Sequence, residues 1–324
     1  MKLTNLFTPK YDSKSLLDLI IIGAGPGGMT AAIYAARRKL KFCIISLDVG
    51  GQMAWSAEVA NYPGTNSITG IQLTQNFQKH LEEYKVQIRQ EEVKKIEKKG
   101  KLCIVQTNKA TYHSKAVIVT SGKKPKKLEV PGEDKLLGKG VNYCATCDAP
   151  FYKGKTVAVI GGGNSGLEAA TYLSKYTSRV YLIHNGAQLS GVPYLKEKVE
   201  KDRKVQIVLN ATTKEILGKS LVEALKYEQD AKEKIIKVHG VFVEIGLITK
   251  ADFVKVKKNK YGEIMLYRKS DRPCENMTAT PGIFAAGDVT DVPAKQIIVA
   301  AGEGCKALIA AIDYIHRWDK KNGK

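Results

Sequence analysis

Leu19-Ile20-Ile21-Ile22-Gly23-Ala24-Gly25-Pro26-Gly27-Gly28 decides the fold of this chain. Four successive apolar residues mark a strand buried on both faces, and they run directly into a glycine turn and then the helical stretch Met29 to Arg38. In such a turn Gly23 lets the chain bend sharply, Gly25 lets backbone approach a pyrophosphate, and Gly28 lets helix pack on strand. The phosphates then lie at a helix N-terminus, where free N–H groups and the helix dipole favour negative charge. The pattern returns 138 positions later as Gly161-Gly162-Gly163-Asn164-Ser165-Gly166, after Thr156 to Ile160 and before Leu167 to Lys175, with Gly161, Gly163 and Gly166 in the same three roles. The expected fold class is α/β, with two Rossmann-like nucleotide folds.

Outward from these anchors, Lys41 to Ser46 alternates into a second strand ending at Asp48, 20 residues beyond Gly28, where a carboxylate reaches a ribose hydroxyl. Further strands are expected at Val86 to Arg89, Leu102 to Thr107 and Ala116 to Thr120. The turn Thr120-Ser121-Gly122 and the lysine run after it, closed by Pro131-Gly132, read as a linker. A central unit follows, containing the second fingerprint and ending near Gly240 to Gly246. Then Ile283 to Ala286 gives another buried strand, ending at Gly287-Asp288, and Gln296 to His316 a long amphipathic helix. The outer domain is therefore expected to be discontinuous, 1–123 plus 249–324, around a central domain of 124–248.

Composition sets bounds. At 324 residues and 44% hydrophobic content the chain has the make-up of a soluble two-domain protein. Its longest apolar stretch, Leu16 to Ala36, holds Asp18 and the glycine turn, so it reads as a buried strand and helix rather than a membrane span. Met1 to Lys14 is polar where a signal peptide has an apolar core, which points to the cytoplasm. Net charge is +20, distributed as 32 basic against 18 acidic side chains in the outer domain and 20 against 14 in the central one. That spread, without a basic stripe interleaved with aromatics, argues against nucleic acid and describes a field that would speed encounter with an acidic partner.

Six cysteines are too few for a disulfide scaffold, and one pair stands at close spacing, Cys144-Ala145-Thr146-Cys147, between the two fingerprints. Cys43, Cys103 and Cys305 read as small buried hydrophobes, and Cys274 is unassigned. A zinc site on Cys144 and Cys147 would need a second CxxC or a histidine pair, and the sequence has neither, so no metal is expected. A disulfide is reduced by thiolate attack through a mixed disulfide, and CxxC spacing supplies the two thiols this needs.

Taken together, Gly50-Gly51-Gln52, Asn61-Tyr62-Pro63-Gly64, Cys144-Ala145-Thr146-Cys147-Asp148, the Gly161 fingerprint and Ala286-Gly287-Asp288 followed by Gln296 resemble the low-molecular-weight thioredoxin reductases nearly end to end. The C-terminal part also resembles the flavoprotein subunit of alkyl hydroperoxide reductase. The resemblance implies two domains of the three-layer ββα type, FAD in the discontinuous outer one, and a homodimer. It implies that Gly23, Gly25 and Gly28 hold the FAD pyrophosphate, that Asp48 meets its adenosine half, and that Gln52, Asn61, Gly287, Asp288 and Gln296 are further contacts. Asn61, before Tyr-Pro-Gly, also reads simply as a turn residue. For the chemistry it implies that Cys147 faces the flavin, Cys144 attacks thioredoxin, and Asp148 supplies the proton; Asp148 is otherwise a turn residue after the motif.

The chain departs from the resemblance at the electron donor. About 20 residues beyond Gly166 an NAD site places an acid and an NADP site an arginine. Here Tyr181-Leu182-Ile183-His184 is followed by Asn185-Gly186, where NADPH-type thioredoxin reductases carry paired arginines, and Leu189 to Leu195 is uncharged. An amide and a glycine do not replace a bidentate clamp on a 2′-phosphate. Lys196 or Arg203 would be left to hold NADPH at reduced affinity, and NADH would lack its acid. Ferredoxin, the acidic one-electron carrier used by one branch of the family, fits both the missing site and the surplus positive field, and is the expected donor ahead of NADPH and NADH. A reading of a different class is a flavin-binding redox sensor without turnover.

Overall fold

The computed structural model describes residues 15–56, 59–249, 251–267 and 276–322. The readings of Cys274 and of Met1 to Lys14 fall outside these residues. The chain divides into two compact units, Met1–Lys123 with Thr249–Lys324, and Lys124–Ile248.

The outer unit is built on a parallel sheet of Ile88–Gln90, Phe42–Val49, Leu16–Ala24, Thr111–Val119 and Ile283–Ala285, adjacent in that order. In its central strand Leu19 and Ile21 point to one face, and Ile20 and Ile22 to the other. All four are buried, which is why the strand reads as an unbroken apolar run. Helices Pro26–Arg37, Gly70–Glu83 and Ile297–Lys321 cover the first face through Met29, Ala32, Leu73, Leu308 and Ala311. The second face packs against Val105, Tyr112, Val254 and Ile264. Two of these belong to an antiparallel meander, Val93–Lys99, Leu102–Thr107 and the first half of Thr111–Val119.

The central unit repeats the plan. Its parallel sheet runs Val205–Val208, Arg179–Ile183, Thr156–Ile160, Gly240–Val243, Val141–Asn142. Helix Asn164–Leu173 covers one face, through Val157, Val159, Leu167, Ala170 and Phe242. An antiparallel meander of Ala211–Leu217, Ala224–Gln229 and Lys232–Lys237 covers the other, through Ala158, Ile160, Ile216 and Leu225. Helix, parallel sheet and meander make the three-layer ββα arrangement in each unit, as the sequence led us to expect.

Boundaries moved where pairing overrode local pattern. The strand expected at Ala116 starts at Thr111, because the polar Thr111 to Ser114 segment is held by antiparallel partners from Gln106 to Cys103. The closing helix starts one residue later, with Gln296 as its N-cap, and runs to Lys321. Among the described residues no helix is long and apolar enough to cross a membrane.

Candidate functional site

In the outer unit the three fingerprint glycines answer to different neighbours. A methyl group on Gly23 (φ +104°) would lie 2.4 Å from the Thr120 carbonyl oxygen, and one on Gly28 would lie 1.9 Å from that of Gly23. Both positions are required by the protein's own packing. A methyl group on Gly25 would meet nothing nearer than Gly50 O at 3.9 Å, and one on Gly51 nothing nearer than the Gly25 Cα at 4.0 Å. Backbone thus lines an open trough at the start of helix Pro26–Arg37, whose N-cap Gly25 provides no side-chain acceptor for the first-turn N–H groups. This suits an anionic pyrophosphate. Asp48 lies exposed at the end of Phe42–Val49, next to Val49, which pairs with Ala24 across a register shift.

Residues far apart in sequence converge beside this trough. Gln52 Nε2 donates to Asp288 Oδ2 at 3.5 Å and to the Lys123 carbonyl at 3.4 Å, and Asn61 Nδ2 donates to Gln296 Oε1 at 3.1 Å. Burial pushes the Asp288 carboxyl above the usual range, opposed by Lys295 and Lys123. The Ser121 hydroxyl is buried without a protein hydrogen-bond partner. A polar ligand on this side would satisfy it. The backbone trough, the orphaned hydroxyl and the converging amide and carboxyl side chains fit a flavin dinucleotide.

The second fingerprint has the same geometry. A methyl group on Gly161 (φ +126°) would lie 2.1 Å from Glu244 O and one on Gly166 1.9 Å from Gly161 O, while Gly163 meets only Ser190 Oγ at 3.7 Å. What surrounds it differs from a 2′-phosphate site. A side chain at Gly186 would meet the His184 imidazole at 2.8 Å, and that ring also packs on Gly162. Ser190, in the uncharged segment after Leu189, turns its N–H and hydroxyl onto Gly162 O at 2.8 and 3.3 Å. Glu244 borders Gly161, and its carboxyl is pushed up to about 8 by burial and then by the charge of Glu168 on the fingerprint helix. Of the two fallback cations, Arg203 is misplaced. It lies in the turn leading into Val205–Val208, at the N-terminal end of the strands, whereas ligands of such sheets bind beyond the C-terminal ends. Lys196 stays on the nearer side, on helix Pro193–Glu200, whose N-cap Val192 donates to Asn164 Oδ1 at 2.8 Å.

Cys144 and Cys147 are joined as a disulfide, with Cα atoms 5.4 Å apart. Cys144 is the N-cap of the short helix Ala145–Asp148, and its sulfur accepts the Cys147 N–H at 3.2 Å. An amide N–H on sulfur stabilises a thiolate there once the disulfide opens. The residues on either side of the pair are anchored: Tyr143 donates its hydroxyl to Glu133 at 2.6 Å, and Asn142 donates to the Tyr152 hydroxyl oxygen at 2.9 Å. Asp148 is half-buried, and burial raises its carboxyl pKa, the direction an acid near neutral pH needs. Cys43 and Cys103 are buried core residues, with burial pushing the Cys43 thiol up to about 12; Cys305 is half-buried.

Sequence reasoning missed four residues. Phe151 follows the CxxC helix and is 73% exposed, an aromatic left in water beside the redox pair. Ser121 reads in sequence as no more than linker. Glu303 and Lys295, which hold the Gly287–Thr290 turn, carry no motif that would have found them.

The family profile of the pyridine nucleotide-disulphide oxidoreductases matches residues 17–304. One component of the alkyl hydroperoxide reductase of Staphylococcus aureus (strain MSSA476) is 37% identical over 316 residues, which is 95% of this chain and 61% of that protein. The chain thus spans about three fifths of the length of the curated relatives it matches. Among solved structures, Lactococcus lactis thioredoxin reductase superposes with a TM-score of 0.84 at 31% identity, covering 93% of this chain and 99% of its own. T. acidophilum thioredoxin reductase gives 0.81 at 38%, with 92% and 99% covered. A ferredoxin-flavin thioredoxin reductase from Clostridium acetobutylicum gives 0.51 at 30%, with 93% and 98% covered. With its paired ββα units, its glycine trough and its CxxC disulfide, the chain belongs to the FAD-binding pyridine nucleotide-disulphide oxidoreductases and has the fold of the low-molecular-weight thioredoxin reductases.

Proposed function

We propose that the protein is a flavin-dependent thioredoxin reductase whose electrons come from reduced ferredoxin. The observation that carries the disulfide chemistry is the Cys144–Cys147 pair with Cys144 at a helix start, accepting the Cys147 N–H. FAD, held at the Gly23–Gly25–Gly28 trough and beside Gln52 and Asp288, would supply the electron pair that reduces this disulfide. Two electrons and two protons open it to two thiols. The Cys144 thiolate then attacks the partner's disulfide and expels one partner thiolate, forming a mixed disulfide. Cys147 attacks Cys144 in turn, re-forms the internal disulfide and expels the second partner thiolate. Asp148, with its raised carboxyl pKa, supplies a proton to a leaving thiolate.

The choice of donor is supported by what borders the second fingerprint: Gly186 under the His184 ring, Ser190 turned onto Gly162, and no arginine between Asn185 and Leu195. The net charge of +20 supports it independently, since steering between oppositely charged proteins raises association about 10- to 1000-fold at low ionic strength. A nicotinamide donor is the second reading, favoured by the intact Gly161–Gly163–Gly166 geometry.

The test is anaerobic mixing of the purified protein with reduced ferredoxin, NADPH or NADH, following flavin absorbance and then thioredoxin thiols. Ferredoxin is expected to bleach the flavin and sustain turnover, at a rate that falls steeply with salt. Bleaching by NADPH or NADH within the turnover time, with none by ferredoxin, overturns the donor assignment. A flavin that reduces and reoxidises without producing thioredoxin thiols for any donor favours the sensor reading.

A further inference from the structure

Glu303 is a carboxylate that the proposed chemistry does not use, yet it is 8% exposed inside helix Ile297–Lys321. A charge taken out of water needs a specific partner. Its Oε2 accepts the N–H of Gly287 at 2.6 Å. Gly287 has φ +77°, the left-handed backbone that aims the next residue, Asp288. On the same turn Lys295 Nζ donates to the carbonyls of Asp288 at 3.3 Å and Thr290 at 2.6 Å. Lys295 is itself paired with Glu263 at 3.2 Å, and Glu263 with Lys123 at 3.0 Å. An anion thus holds the turn by its N–H while a cation holds it by its carbonyls. The same helix also docks through Gly304, where a methyl group would lie 2.0 Å from the Gly27 carbonyl oxygen, and through the buried Ala307, Leu308 and Ala311.

We propose that Glu303 and Lys295 are positioning residues of the flavin site, clamping the Gly287–Thr290 turn by its N–H and by its carbonyls so that Asp288 is aimed before FAD arrives. The inference rests on Asp288 being an FAD contact. A side chain locked in its bound geometry lowers the ordering cost of binding.

The experiment titrates flavin-free protein with FAD and follows quenching of flavin fluorescence in the parent and in Asp288→Ala, Glu303→Ala, Glu303→Gln and Lys295→Met. Asp288→Ala is expected to weaken binding. Glu303→Ala is expected to weaken it about ten- to hundredfold, the range for a buried N–H left without its acceptor. Glu303→Gln, which keeps an acceptor oxygen, is expected to recover most of the loss, and Lys295→Met to lose about tenfold. If Asp288→Ala binds FAD normally, the reading of the site fails and the clamp falls with it. If Asp288→Ala is weakened while Glu303→Ala is normal, or while Glu303→Gln is as poor as Glu303→Ala, the clamp alone is overturned. Should Glu303→Ala not fold, normal affinity in Lys295→Met overturns the proposal.

Discussion

Asn61 donates its side-chain amide to the Gln296 side-chain oxygen at 3.1 Å, a contact between residues 235 positions apart. Both residues are exposed, so the bond adds little stability; its effect is to orient two amides at the start of the closing helix. We expect Asn61→Ala and Gln296→Ala each to weaken FAD binding about fivefold, and the double variant to lose less than the product of the two, as coupled neighbours do. Equilibrium titration of the flavin-free variants measures this, and independent losses would dissociate the pair.

The glycines of the first fingerprint should separate binding from folding. Gly25→Ala adds a methyl group with no neighbour nearer than 3.9 Å, at an extended backbone conformation that alanine adopts, so the flavin-free protein should melt within a few degrees of the parent. Its FAD affinity should fall more than about tenfold, because that methyl group enters the phosphate trough. Gly28→Ala would place a methyl group 1.9 Å from the Gly23 carbonyl oxygen and should fail to fold. Normal FAD affinity in Gly25→Ala would remove the trough as the phosphate site.

For the thiols, Cys144→Ser and Cys147→Ser should both abolish turnover but differ under trapping. With Cys147 gone, Cys144 attacks oxidised thioredoxin and no resolving thiol follows, so a covalent adduct should accumulate on a non-reducing gel. Cys144→Ser should give none. The opposite pattern exchanges the two roles.

The raised pKa of Asp148 gives a pH signature. Its protonated form donates to the leaving thiolate, so the contribution is present below its folded pKa and disappears as pH rises through it. Asp148→Asn should therefore be slower than the parent by about a hundredfold at pH values below that folded pKa, with the ratio shrinking toward one as pH rises through it. Thioredoxin reduction at saturating electron donor is the measurement. A constant ratio across the range excludes Asp148 as the acid.

What the sequence made legible was whatever has a local cause. Leu19 to Ile22 and Thr156 to Ile160 are central strands buried on both sides, so an apolar run and its glycine stop define them without knowledge of any partner. Val93–Lys99 has the pattern of an edge strand, lysine-rich with Ile96 alone buried, and its pairing is set by Leu102–Thr107. Gln52 and Asp288 each read as flavin contacts on family pattern rather than spacing, and their hydrogen bond to one another is visible only in the structure. Glu303 could not be found in that way: a glutamate in a helix is ordinary, and its burial follows from Gly287 approaching from 16 positions away.

Two of the three glycines in each fingerprint are held in place by neighbouring backbone. Gly161 and Gly166 in the central unit obey the same constraint as Gly23 and Gly28 in the outer one. A unit that stopped using a nucleotide would still have to keep them, since the strand cannot meet the helix otherwise. The string of glycines is thus largely a record of how a chain turns a corner, and in each copy the middle glycine alone is free of that constraint. An enzyme on this scaffold can exchange the source of its electrons while its most recognisable motif stays in place.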